Sequence, residues 1–234
     1  EQTHESIKNA IIEESYEVAD AIEKEDDNGV IEELGDVLFQ VIFHAAIGKE
    51  DGYYNLSDII EGICNKMIYR HPHVFGNADV NTTEEVLANW DELKKKEKHF
   101  NTMTDELNGV AKALPALIRA AKVQKKAKKV GFDFENVDKT LEKIKEEINE
   151  LEEVYKTDNV DRITEELGDL LFSCVNTARF LNVDSEEALN KCINKFIERF
   201  SYIENTAISL GLNLKEMSLK EMDELWEKTK KVEK

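Results

Sequence analysis

Two prolines and ten glycines in 234 residues leave little to interrupt long helices. Cysteine is as scarce: Cys64, Cys174 and Cys192 are the whole set, and no CxxC pair occurs. An odd count without pairing motifs excludes a disulfide framework and predicts buried, reduced thiols in a cytoplasmic protein. No run approaches the roughly 20 apolar residues of a membrane span, and no signal-peptide core is visible. Strand-like alternation never survives more than a few residues, which leaves an all-α chain. A Gly-rich phosphate loop is missing as well, which argues against a Walker-type NTPase. Positive charge is in deficit: 35% of residues are charged, yet the formal net charge is −19. Nucleic-acid backbones and anionic membranes both need basic surface, so neither is expected as the main partner. A small phosphate ligand carried by a metal ion is compatible with that balance.

What the chain has in abundance is acid, and it is ordered. Glu146-Glu147-Ile148-Asn149-Glu150 is answered downstream by Glu166-Leu167-Gly168-Asp169. Helical positions three or four apart share a face, so Glu147 pairs with Glu150, Glu146 with Glu150, and Glu166 with Asp169. Two antiparallel helices would bring these pairs face to face. Clustered carboxylates repel unless neutralised, and a hard cation such as Mg²⁺ takes oxygen ligands while keeping waters for a phosphate. The plain alternative is a solvated acidic face, common in so charged a chain. Against it, the set occurs twice: Glu13, Glu14, Glu17, Glu33 and Asp36 precede their counterparts by a constant 133 residues. Asn65-Lys66…Arg70 resembles Asn194-Lys195…Arg199 at a spacing of 129, and Trp90…Lys94 resembles Trp226…Lys230 at 136. Drifting spacings mean loops of different length between fixed elements. The order predicts a tandem repeat: residues 1–100 and 114–234 as two helical domains joined by a connector over 101–113.

Local signals place these motifs on helices. Thr3 caps a first helix that runs to about Ile22, and Asp26-Asp27-Asn28-Gly29 reads as a turn. A second helix then runs from Val30 to Ile47, and a third from Ser57 to His71-Pro72-His73. The fourth follows the capping box at Thr82-Glu85 and carries Val86, Leu87 and Trp90. Pro115 opens a helix to Val130 whose basic face holds Arg119, Lys122, Lys125, Lys126, Lys128 and Lys129. Helices over 138–156, 160–181 and 185–209 follow, and Ser218 caps the last. Lys195 and Arg199 would project from one helix face, lysine as a point charge and arginine as a fork for phosphate oxygens. Trp226 and Lys230 repeat that spacing, an aromatic face for a base and a cation for phosphate. Taken singly, each is as well explained by packing or solvation; their recurrence favours function.

Together, the two EExxE…ExxD motifs, Gln2-Thr-His-Glu-Ser6, Phe43-His44-Ala45, Tyr69-Arg-His-Pro-His-Val-Phe-Gly76 and Leu114-Pro-Ala-Leu-Ile-Arg119…Gln124-Lys-Lys126…Val-Gly-Phe-Asp133 resemble the MazG nucleoside triphosphate pyrophosphohydrolases over nearly the whole chain. Family members carry a Cys-Pro-Trp-Asp run before Gln-Thr-His; its absence predicts missing N-terminal residues. The resemblance implies an all-α, Mg²⁺-dependent homodimer, with Mn²⁺ as a substitute, that cleaves a broad class of NTPs and dNTPs to NMP and pyrophosphate. It implies Mg²⁺ ligation by Glu147, Glu150, Glu166 and Asp169, with Glu146 orienting water. It implies nucleotide contacts from Lys195, Arg199, Trp226 and Lys230; Lys125 and Lys126 on the basic helix are added as substrate contacts. Glu14, Glu17, Glu33 and Asp36 would form a second metal site, and the C-terminal copy is expected to be the active one. Two alternatives compete. A di-iron carboxylate bundle needs Glu-x-x-His on two helices, and only Glu1-x-x-His4 fits. A non-catalytic nucleotide-binding or regulatory helical module is the other.

Overall fold

The computed structural model describes residues 2–76 and 82–232, with the side chains of Glu84, Leu87, Lys231 and Val232 outside that description. Glu1 of the Glu-x-x-His pattern and the Leu87 side chain of the fourth helix therefore lie outside the described residues. All regular structure among the described residues is helical. The chain divides into two compact units, Glu1–His99 and Phe100–Lys234.

In the first unit, α1 (His4–Ile7) begins at Thr3, whose hydroxyl accepts from the Ser6 amide in a capping box. The helix expected to continue to Ile22 is broken at Lys8-Asn9, and α2 (Ala10–Glu23) starts afresh. Asn9 keeps right-handed dihedrals there, so the break is a kink rather than a loop. The residues expected to form a turn are instead the first turn of α3 (Asp27–Glu50). Asp26 is its cap, accepting from the Gly29 amide at 3.1 Å, and the reversal falls earlier, at Glu25 with φ 55°. An Asp-Asp-Asn-Gly run serves as turn or cap equally well, and only the hairpin partner decides. α2 and α3 pack along each other as a hairpin; α4 (Leu56–Arg70) packs on α3 and on α6 (Thr83–Glu97), and α5 (Pro72–Phe75) is a single turn after α4.

The second unit repeats this with additions. The stretch expected as a connector holds α7 (Met103–Asn108), which packs on α8 (Ala116–Lys128). A hairpin of α9 (Val137–Val154) and α10 (Val160–Phe180) is its main packing unit, capped by Asn136 and Asn159. α8 lies on α10 and α11 (Ser185–Ser209), pinned where Gln124 Nε2 donates to the Phe172 carbonyl at 2.9 Å. α12 (Leu219–Val232) packs on α11, and Ser218 caps it through Glu221.

Each core is thin. Val154, Val175, Ile203, Ala207 and Leu225 are buried in the second unit, Ala21, Ala45 and Ile47 in the first. Many large apolar side chains stay exposed at matched places in the repeat, among them Leu34, Leu38 and Phe39 on α3 and Leu167, Leu171 and Phe172 on α10. The three cysteines, expected to be buried, are free and exposed. They sit on helix faces that the unit's own small core does not cover, which apolar context in the sequence does not reveal.

Candidate metal centre and nucleotide site

The α9–α10 hairpin turns over at residues 155–159, so residues equidistant from that turn meet across it. Glu147 and Glu150, one turn apart on α9, thereby meet Glu166 on α10. One carboxylate oxygen from each lies within 4.8 Å of the others. Glu147 is only 3% exposed and Glu166 7%, while Glu150 is half-buried. Asp169 is exposed and outside that group of three. Glu146 is also exposed; it takes a lysine rather than joining the acids.

Two cations from the same hairpin press into the cluster. Lys143 Nζ lies 2.7 Å from Glu146 Oε1 and 2.6 Å from Glu147 Oε1. Hydrogen bonds to Glu146 and Glu147 push its pKa well up. Arg162 Nη2 reaches Glu166 Oε1 at 3.1 Å. The Glu150 carboxyl is also pushed up, first by its hydrogen bond to Glu147, then by burial and the negative charges of Glu147 and Glu166, with Lys143 opposing. Lys143 and Arg162 are functional candidates that the sequence reading missed. The signal was available: each stands four residues before a buried acid on the same helix, a spacing that pairs charges. Interleaving with exposed residues made Lys143 look like part of a solvated face.

The residues fit a hard divalent cation. Glu147 Oε2 is buried with no hydrogen-bond partner, although a buried carboxylate oxygen left unpaired is costly. Oxygen-only donors from three carboxylates match the preference of Mg²⁺ or Mn²⁺, which keep open positions for water and phosphate.

Beside this hairpin, α11 and α12 assemble the aromatic part. The Arg199 guanidinium stands over the Trp226 ring at 5.4 Å, and Phe196 packs on the same ring at 5.3 Å. Lys230 is exposed and paired with Glu227; Lys195 is exposed. Lys125 is exposed on α8, whereas Lys126 turns to the buried Glu106 of α7 at 3.4 Å, so its charge is partly committed within the unit.

The first unit repeats the acid triad and not its cations. Glu14, Glu17 and Glu33 bring carboxylate oxygens within 4.8 Å of one another. Partial burial raises the pKa of Glu14 and of Glu33, with neighbouring carboxylates, Asp36 included, adding to it. The Arg–Trp pair also recurs: Arg70 lies 5.5 Å and Lys94 4.7 Å from the Trp90 ring. Here Arg70 Nε also donates to Glu97 at 2.6 Å, a part-buried ion pair that holds the Glu97 carboxyl below its usual range.

Antiparallel helix pairs that aim carboxylates at one point, with an arginine–aromatic pair beside them, are what an all-α phosphohydrolase of the metal-assisted kind would need. Comparison with known proteins places the chain within that class. The MazG nucleotide pyrophosphohydrolase domain matches residues 2–75 and 135–203, and the chain belongs to the MazG family. It is 43% identical over 229 residues to the nucleoside triphosphate pyrophosphohydrolase/pyrophosphatase MazG of Thermotoga maritima, covering 98% of this chain and 87% of that protein. It is 40% identical over 235 residues to the nucleoside triphosphate pyrophosphohydrolase of Escherichia coli K12, covering 100% of this chain and 89% of the other. The uncharacterized protein YabN of Bacillus subtilis is 49% identical over 233 residues, which span 99% of this chain and 47% of YabN.

Proposed function

We propose that the protein is a nucleoside triphosphate pyrophosphohydrolase whose working centre is the C-terminal copy, converting NTP and water to NMP and pyrophosphate. The observation that carries this is the Glu147–Glu150–Glu166 triad with its buried, stranded Glu147 oxygen, in a chain of this family. Glu147, Glu150 and Glu166 hold Mg²⁺, or Mn²⁺ in its place, and Asp169 one helical turn on completes the acid set from the exposed side. When bound, the ion supplies charge neutralisation at the phosphates and acidifies water.

The remaining work falls to protein side chains. Arg199 forks onto phosphate oxygens from a guanidinium already oriented by Trp226, and Lys195 adds a second positive charge from the same helix. Trp226 offers a face to the base, and Lys230 and Lys125 contribute charge at the rim. Glu146, hydrogen-bonded by Lys143, accepts a proton from the water that attacks the α-phosphorus. The bond to the bridging β-oxygen breaks as the new P–O bond forms, and pyrophosphate leaves. Lys143 and Arg162 exchange their carboxylate partners for phosphate as the substrate arrives, which keeps the acids neutralised throughout.

The same reading includes a homodimer in the cytoplasm. The exposed apolar stripes on α3, α4, α10 and α11 supply the chemistry of such an interface. Three free, exposed thiols suit a reducing compartment, and no helix among the described residues is long and apolar enough to cross a membrane.

The test is product analysis over a panel of NTPs and dNTPs with Mg²⁺. NMP and pyrophosphate are expected, with solvent oxygen appearing in NMP. Glu166→Gln should lower turnover by on the order of 10²–10³-fold, since losing a ligand removes several kcal/mol of charge stabilisation. NDP with orthophosphate, or an undiminished Glu166→Gln enzyme, would overturn the assignment.

A further inference from the structure

Two histidines of the first unit stand ring to ring. His4 Nδ1 on α1 lies 2.7 Å from His44 Nδ1 on α3, and the rings stack with centroids 5.0 Å apart. Both are half-buried. Tyr54, in the loop after α3, closes the other side of His4, its hydroxyl 3.2 Å from His4 Nε2. Tyr54 has little freedom to leave. Its amide and that of Tyr53 donate to the Gly48 carbonyl at 3.3 and 2.9 Å. Its ring fills the space a side chain on Gly48 would need, 2.6 Å from an added Cβ. The trio thereby fastens α1 across α3 and onto the loop that leads to α4. The second copy has no such pair: Val137 and Thr177 stand at the matching places 133 residues on.

A contact between two imidazole nitrogens at this distance has room for one proton. With both rings neutral, one Nδ1–H donates and the other Nδ1 accepts. One added proton is accommodated: a charged His4 donates from Nδ1 to His44 and from Nε2 to the Tyr54 oxygen, and the contact becomes charge-assisted. A second added proton puts a hydrogen on both Nδ1 atoms and a like charge on both rings, which the gap cannot hold. Among the described residues no acid forms an ion pair with either ring. On α1, Glu5 is exposed and paired with Lys8. One turn either side of His44 on α3 stand Gln40, Val41, Ile47 and Gly48, all uncharged, and Lys49, Glu50 and Asp51 beyond them are exposed. On α2, Glu14 is held by Gln40. Asp58 of α4 accepts from the Asn55 amide at its own cap.

We propose that His4, His44 and Tyr54 form a proton-operated latch, which holds α1 on α3 while the histidine pair carries at most one added proton and releases it when the pair takes two. α1 is built to swing. It is a single turn joined to α2 through the kink at Lys8-Asn9, and its one buried residue is Ile7. Release therefore costs the fold one small apolar anchor and leaves α2 and α3 paired. The released segment takes two protons where the latched one takes one. The stability of the latch is thus present above the ordinary imidazole range, about pH 6.5, and is lost as pH falls below it. The device belongs to the folded first unit and does not depend on what the protein hydrolyses.

NMR of the full chain with ¹⁵N-labelled histidine, from about pH 8 to 5 across the ordinary imidazole range, tests it. His4 and His44, assigned by the signals lost in His4→Phe and His44→Phe, should titrate as a coupled pair in two separated steps. A one-turn helix does not persist undocked, so exchange of the Ser6 and Ile7 amides reports release. Corrected for the intrinsic rate, that exchange should quicken by up to about tenfold for each pH unit below the second step, the slope of one excluded proton. His4→Phe keeps a ring to stack and has no proton to contest, so its α1 exchange should stay flat over the same span. Three outcomes overturn the proposal: two histidines that titrate independently in single steps, α1 protection unchanged down to the acid end, or the same acid loosening in folded His4→Phe. The wild-type titration and exchange decide the matter even if a variant fails to fold.

Discussion

At the residue scale, the centre is a contest between cations for the same oxygens. Lys143 holds Glu146 and Glu147 together, Arg162 holds Glu166, and Glu150 is left to share with Glu147. Its raised pKa has a definite consequence for stability. Folding favours the protonated form of Glu150, so the folded protein binds the proton more tightly than the unfolded chain. The stability this contributes is complete below the ordinary carboxylate range and is lost as pH rises through the raised value. Replacing Glu150 by Gln removes the dependence. The metal-free Glu150→Gln protein should therefore gain melting temperature over wild type as pH rises from below the ordinary carboxylate range to well above it. Mg²⁺ should narrow the gap, because it stabilises only the chain that keeps its carboxylate. Parallel melting curves at every pH would refute the account. Individual acids were legible in the sequence; that Glu146 and Asp169 stand outside the triad was not, because a three-residue spacing gives a shared face and not the depth of each side chain in it.

At the element scale, the helical hairpin is the unit that repeats. The α9–α10 pair carries deeply buried apolar residues as well as its acids: Val154 and Val175 are 3% and 2% exposed. Val175→Ala removes two buried methyl-sized groups worth about 0.8 kcal/mol each and leaves a cavity, so a loss of about 2–3 kcal/mol is expected in urea unfolding. A loss below half of that would mean the hairpin relaxes around the gap and is looser than its packing implies. Helix existence could be read from periodicity and caps, as at Thr3, Thr82 and Ser218. Boundaries could not be read where one residue type serves two geometries. Asp26 caps α3 in a stretch that also spells a turn, and Lys8-Asn9 breaks a pattern whose apolar spacing runs on without interruption. The short α7 inside an expected connector escaped for a related reason. Its stability comes from packing on α8, with Glu106 and Lys126 paired across them, rather than from its own six residues.

At the scale of the whole molecule, exposed apolar surface is the dominant fact. The stripe Leu189, Ile193, Phe196, Ile197 and Phe200 on α11 follows helical spacing, and every member is over 40% exposed. Stripes of that kind need covering, and the homodimer proposed above covers them with a second copy. Sedimentation at micromolar concentration should give twice the 26.9 kDa mass. Ile193→Glu with Ile197→Glu lies on the helix side away from Lys195 and Arg199. It should yield a folded species of single mass with much reduced turnover; a fully active monomer would sink the dimer.

The sequence by itself determined the helical class, the twofold repeat and the acids at its centre. These follow from composition, period and spacing, which are properties of neighbours along a chain. Only the tertiary structure decided which acids share a point, which cations sit on them, and that the cysteines and apolar stripes face outward. Those depend on where two hairpin strands of helix stop facing each other and begin facing solvent. That depth is set by packing across the hairpin, and no spacing along one helix records it.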